Sequence, residues 1–179
     1  MPRSLADGKT KFTILTVKPT DPEYPTASEL NDGIDASCAV MASDFNFGAA
    51  ASDKVNEGAL CEDTNAQVSA RSNFSCGYTI FRYLDLSTGQ PEGGDADAVF
   101  AASKVKGTTL YVYARKTSKK ATDPWEDGDE IYLGAEVVTD NLTPPSDLGG
   151  WIKWRQEADV QAGWPFRTVG GSASSSSSS

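Results

Sequence analysis

Five stretches of this chain alternate side chains with a period of two, and that pattern leaves little room for anything but a β protein. Residues 11–17 set Phe12, Ile14 and Thr16 against Thr13, Leu15 and Val17. Residues 76–84 set Tyr78, Ile80, Arg82 and Leu84 against Thr79, Phe81 and Tyr83. Residues 108–115 set Leu110, Val112 and Ala114 against Thr109, Tyr111 and Tyr113. Ile131, Leu133, Ala135 and Val137 alternate with Glu130, Tyr132, Gly134 and Glu136; Ile152, Trp154 and Ala158 oppose Lys153, Arg155, Glu157 and Asp159. Successive side chains of a strand point to opposite faces, so each run is a strand with one face prepared for a core. Where both faces are partly apolar, as in 76–84, the sheet is expected to be covered on its outer side as well, and the pattern predicts a sandwich.

The segments between these runs carry turn and helix signals. Thr26 followed three residues later by Glu29 is a capping box, which predicts a short helix that Gly33 closes by adopting positive φ. The chain is then expected to run as a strand from Ile34 through Ala36 to Met41. A second helix is expected over 95–104: Asp95 and Asp97 stand at its positive end and Lys104 at its negative end, with Ala96, Val99, Phe100 and Ser103 on one face. Residues 44–65 are polar and small apart from Phe45 and Phe47, and a loop of that length inside a compact domain is usually functional or ordered by a partner. Residues 66–70 and 76–84 read as one strand or a strand pair broken near Ser72 and Asn73, and 163–169 as a separate short edge strand. With 179 residues the chain is expected to form one domain. It divides into an arm (1–10), a body (11–169) and a serine-rich tail (170–179) that has nothing to bury.

Composition removes many chemistries. There is no histidine, which excludes imidazole-assisted serine and cysteine nucleophiles, the His-Glu-x-x-His zinc site and imidazole-ligated iron or copper. Cys38, Cys61 and Cys76 have no close-spaced partners and an odd total, so they fit neither a zinc ribbon nor a disulfide framework. The acids Asp123, Glu126, Asp127, Asp129 and Glu130 lack the alternating calcium-loop pattern and read as a solvated turn. The glycines from 89 to 94 lack the Lys-Ser/Thr ending of a phosphate loop. No catalytic residue, metal or cofactor is predicted. No charged-then-apolar leader and no membrane-length apolar run appears, so the product is expected to stay in the cytosol where it is made.

The net charge of −9 opposes wrapping of nucleic acid, which needs clustered cations. It does not oppose the passage of DNA. The charge is also segregated along the chain. Arg3, Lys9, Lys11 and Lys18 face Asp7 alone in residues 1–20, whereas 21–64 hold ten acids against Lys54. Residues 65–121 carry eight bases and four acids, and 122–149 carry eight acids and no base. Blocks of opposite sign suit head-to-tail docking of identical copies, and equally suit solvated loops.

Two segments carry a family resemblance. Pro25-Thr-Ala-Ser-Glu-Leu-Asn-Asp-Gly-Ile-Asp35 resembles the "PT-x-x-EL-x-x-G-x-D" segment of the major tail tube proteins of long, non-contractile-tailed phages, particularly those of actinobacterial hosts. Trp125-Glu-Asp-Gly-Asp-Glu-Ile131 resembles the same family's "W-x-x-GD-x-I/V" entry to a late strand. The resemblance implies a two-sheet β-sandwich with one flanking α-helix, carried here by Asp95, Val99, Phe100 and Lys104. Six copies would form a ring whose inner sheets join into one β-barrel, and rings would stack into a tube through which DNA leaves the virion. The partners implied are further copies of the chain, a tape measure protein, a tail terminator and a distal tail protein; the location is the virion tail, assembled in the host cytoplasm. Carboxylates on wet strand faces are expected to line the bore, with Glu130, Glu136 and Asp140 foremost and Asp35, Asp44 and Glu157 next. Ring-to-ring contact is expected from the basic arm and the 44–65 loop, through Arg3, Lys9, Phe45, Phe47, Asp53, Lys54 and Glu57. A tail terminator or other ring-forming virion subunit, or an acidic monomeric binding module, would fit the same residues.

Overall fold

The computed structural model describes residues 3, 5–55, 68–69 and 71–171. Among them, nine strands and two six-residue α-helices follow in the order β1 (Thr10–Leu15), α1 (Ala27–Asp32), β2 (Ile34–Asp35), β3 (Asn46–Ala50), β4 (Lys54–Val55), β5 (Val68–Ser69), β6 (Asn73–Phe81), α2 (Ala98–Ser103), β7 (Thr109–Lys116), β8 (Glu130–Thr139) and β9 (Lys153–Thr168). The fold is mainly β, as the alternation predicts.

The two sheets of the expected sandwich are one. Seven strands run antiparallel in the order β2-β1-β7-β8-β9-β6-β3, and β4 and β5 form a separate two-stranded ribbon. The join is β9, in which the runs expected as a strand over 151–159 and an edge strand over 163–169 are continuous. Its first half pairs with β6, from Lys153↔Phe81 to Ala158↔Cys76, and its second half with β8, from Ala158↔Thr139 to Thr168↔Glu130. A bulge in β9, where Gln161 is the extra residue opposite the Glu136–Val137 step, lets the sheet bend there, since an extra unpaired residue turns a strand and increases its twist.

The bend brings distant strands face to face. Phe12 of β1 packs against Phe45, Phe47 and Tyr78, with ring centroids 5.0, 5.6 and 5.3 Å apart. Around them, Ile14, Tyr78, Ile80, Leu110, Val112, Ala114, Ala135 and Val137 are all fully buried. A second cluster lies on the opposite face of β1 and β7, where Leu15, Tyr111 and Tyr113 meet Leu30 of α1, Trp125, Ile131 and Val169. The sheet is therefore covered on both faces near β1 and β7, which is why β1 has scarcely an exposed side chain.

Several local expectations are corrected. Gly33 does close α1, but in extended backbone (φ −74°, ψ 175°); a side chain there would run into Leu15 and the Ile14 carbonyl, so close approach rather than positive φ requires glycine. The strand expected to run to Met41 stops at Asp35, because the Asp35 carboxylate accepts hydrogen bonds from the Ser37 amide (3.0 Å) and hydroxyl (2.5 Å) and folds the chain into a turn. The 44–65 loop begins with a strand, β3, and Phe45 and Phe47 belong to the core. The helix expected over 95–104 is a 3-10 turn, Gly94–Asp97, followed by α2. Val99 and Ser103 are buried there as expected, but Asp97 makes a two-toothed ion pair with Arg82 instead of capping the helix.

Candidate assembly surfaces

The part of the sheet formed by β3, β6 and the first half of β9 has an outer face that no helix among the described residues covers. Since Tyr78, Ile80 and Gln156 point into the core, alternation turns Ser75, Gly77 and Thr79 of β6, and Arg155, Glu157 and Asp159 of β9, outward. Arg155 lies across this face. Its Nε donates to Glu157 Oε1 (2.7 Å), its Nη1 donates to the Asp44 carbonyl (2.7 Å), and it stands 3.4 Å from the Asp44 carboxylate, which also accepts from the Thr79 hydroxyl. Gly77 makes the arrangement possible, because a Cβ there would collide with the Arg155 guanidinium and the Glu157 carboxylate. Glu136, opposite Tyr111 and Ala162, extends the same face across β8.

Of the six acids expected to line a bore, the structure thus brings Asp44, Glu136 and Glu157 to one face. Glu130 and Asp140 stand at opposite ends of β8, where Asp140 is paired with Lys106 at 2.9 Å. Its carboxyl is held below the usual range by the hydrogen bonds from Lys106 and the Asn141 amide and by the Lys106 charge. Asp35 lies on the edge strand β2 and meets buried Lys11 at 2.6 Å. Burial pushes the Asp35 carboxyl up, and hydrogen bonds from Lys11 and Ser37 outweigh it, so its pKa is lowered. The sequence reading passed over Asp159, an exposed acid on the same face as Glu157. The alternation of 151–159 already placed the two together.

The residues expected at ring-to-ring contacts are spread differently. Arg3 is exposed, and Lys9 donates to the Ser118 carbonyl (2.8 Å) at the start of the sheet. Asp53 accepts from Asn73, and Lys54 donates to Ser69 across the β4–β5 ribbon. Phe45 and Phe47 lie in the core, and Glu57 is outside the described residues. Two strands form the borders of the sheet, β2 and β3; the outer edge of β3 has no strand beside it among the described residues.

The acidic turn after Lys120 is a cradle for a buried cation, which sequence reading missed. The Arg115 side chain is wholly buried; it donates to Asp129 (2.6 Å) and to the carbonyls of Pro124 (2.9 Å), Lys120 (3.0 Å) and Asp123 (3.0 Å). Lys119 holds the other Asp129 oxygen and Glu126, each at 2.6 Å. Burial raises the Asp129 carboxyl, but hydrogen bonds from Lys119, the Glu126 amide and Arg115 outweigh it and leave it below its ordinary value. No cluster of three potential metal ligands occurs among the described residues. Trp125 packs beneath the turn, its indole N–H donating to Thr13 (2.9 Å), and its backbone exchanges two hydrogen bonds with the Asn31 amide group (2.8 and 2.9 Å). The two segments that carry the resemblance, 25–35 and 125–131, are thereby stitched together over β1 and β7.

No helix among the described residues is long and apolar enough to cross a membrane. No curated protein and no solved structure matches the chain. The family model described as "Phage tail tube protein" matches residues 1–172, nearly the whole length and both stitched segments. A mainly β body whose sheet edges have no further strand beside them among the described residues is in keeping with that match, and the chain belongs to the phage tail tube protein family, a family of structural virion proteins.

Proposed function

We propose that six copies of this chain close into a ring through their sheet edges, that rings stack into the tube of a long, non-contractile tail, and that DNA passes through the bore. The observation that carries this reading is the coincidence of a family match over residues 1–172 with a sheet whose edges, β2 and β3, end without partners among the described residues. Exposed strand edges are a hazard for a free molecule and are removed when neighbouring copies continue the sheet into a closed barrel. The uncovered face bearing Glu136, Glu157 and Asp159 then becomes the wall of the bore. Arg155 neutralises part of the charge of Asp44 and Glu157, so the wall is mildly negative, repelling the phosphate backbone without a cluster of cations to hold it. The basic arm and the β4–β5 ribbon, with Arg3, Lys9, Asp53, Lys54 and Glu57, serve contacts between rings. Tape measure, terminator and distal tail proteins are the further partners, and assembly takes place in the host cytoplasm.

The lining is tested in a phage carrying Glu136→Lys, Glu157→Lys and Asp159→Lys in this chain. Tails should assemble, and DNA ejection should slow at low ionic strength and recover as salt screens the added charge. Ejection at the unmodified rate in low salt would remove these residues from the bore.

A further inference from the structure

Among the described residues, the exposed large apolar side chains sort to the two ends of the sheet. Leu86, Leu148, Trp151, Ile152, Val105 and Val17 stand where β1, β6 and β8 finish and β7 and β9 begin; Leu5 and Phe166 stand at the opposite end. Val55, on the separate ribbon, is the exception. At the first end lies a groove of about 800 Å³ walled by Phe81, Tyr83, Leu84, Leu86, Trp151 and Ile152. It is built before anything enters it. The Arg82 amide donates to the Ile152 carbonyl (2.9 Å), and the Asp85 carboxylate accepts from the Ser87 and Thr88 amides, fixing the turn that displays a fully exposed Leu86.

At the other end, Phe166 is 72 % exposed and holds φ at +49°, a left-handed value that a bulky side chain rarely adopts. Its neighbours Pro165 and Arg167 remain in register with Leu133 and Ile131 of β8. The strained residue is thus clamped on both sides, with its ring turned to solvent. Backbone strain that the surrounding structure sustains is a recurrent mark of a functional position.

We propose that Phe166 of one copy seats in the groove of the next, forming a head-to-tail contact along the tube axis. The proposal rests on the tube reading above and adds which residues meet. The groove adjoins the start of the 16-residue β9 and Phe166 lies two residues before its end, and such a strand spans on the order of 50 Å at about 3.3 Å per residue. A contact between two different patches does not close a pair of copies but repeats, which gives a filament. Both ends carry charge of both signs, with Asp85, Glu92 and Asp147 beside Lys104 and Lys153 at the groove end and Lys116 and Lys120 beside Asp127 and Glu130 at the other, where Arg167 is already paired with Glu23 at 3.2 Å, so the contact rests on the apolar knob and groove. One aromatic ring covers about 150–250 Å², well short of the roughly 800 Å² per partner of a stable pair. Single copies therefore meet only weakly, and the contact gains strength when several copies already joined in a ring engage together.

The test places the photo-cross-linking residue p-benzoylphenylalanine at position 166 of the full chain and irradiates it under polymerising conditions. Mass spectrometry should find intermolecular adducts on segments 81–92 and 148–152; adducts confined to other surfaces, or none, overturn the proposal. In parallel, Phe166→Asp should keep its circular dichroism spectrum, because the position is exposed, and lose tubes in favour of rings or single copies. Tubes formed by Phe166→Asp at undiminished yield would overturn this contact while leaving the tube reading intact. If the unmodified chain itself makes no tubes, the tube reading fails, and the cross-linking map of the concentrated protein decides the contact alone.

Discussion

Arg115 is the residue on which the outer cluster depends. A fully buried guanidinium has been taken out of water, and among the described residues Asp129, three carbonyls and the Trp125 ring replace that solvation. Removing one partner strands the other, so Asp129→Ala should cost about 3–5 kcal/mol in urea unfolding; a loss under about 0.5 kcal/mol would show that the pair is not the anchor described. Glu29 makes a prediction in pH. Backbone hydrogen bonds from Thr20 and Thr26 lower its carboxyl from 4.5 to about 2. A carboxyl depressed in the folded state adds stability above its unfolded value and loses it as acid titrates the folded form. The stability advantage over Glu29→Gln should accordingly be level from about pH 8 to 5 and shrink between about pH 4.5 and 2; an advantage constant down to pH 2 would contradict this. At this scale the sequence was only partly legible. The Thr26–Glu29 box could be read because both partners lie within one turn, and it forms as expected. The Arg115 cradle could not, since its partners are separated by a loop and a run of acids looks the same whether it is solvated or wrapped around a cation. The available signal was Arg115 on the apolar run of β7, at a position that alternation shares with Tyr111 and Tyr113.

At the scale of elements, the strands were legible from their period of two, and their connection was not. Alternation states which side chains share a face, but whether two faces belong to separate sheets or to one bent sheet depends on a bulge, and here the extra residue is Gln161 of β9, opposite the Glu136–Val137 step, in the gap between the two runs that read as separate strands. The 44–65 segment shows the converse. Its small residues hid β3, where Gly48 and Ala49 pair with Ser75 and Phe74, because such residues give little propensity signal and the pairing strand supplies the order. The consequence is a sharper deletion. Removing 44–64 would strip Phe45 and Phe47 from the core, whereas replacing 53–69 with a short turn spares β3 and β6. That variant should unfold at the same urea concentration as the full chain and fail to polymerise in a sedimentation assay; normal polymers from it would relieve the ribbon and its loop of any role between rings.

The whole molecule is a curled sheet with a dry interior, one covered flank, one bare polar flank and apolar ends. Each of those surfaces has an owner if the chain is a tile in a tube, and lacks one if the chain acts alone. Sequence reached the family through two segments that lie 90 residues apart in the chain and touch in space. The bare flank and the sorted apolar ends became visible only once the strands were in register. The most direct test is electron microscopy of the purified full chain across a concentration series. The account predicts hollow, regularly striated tubes growing from rings; single 19.0 kDa particles at every concentration, or solitary rings that never stack, would contradict it.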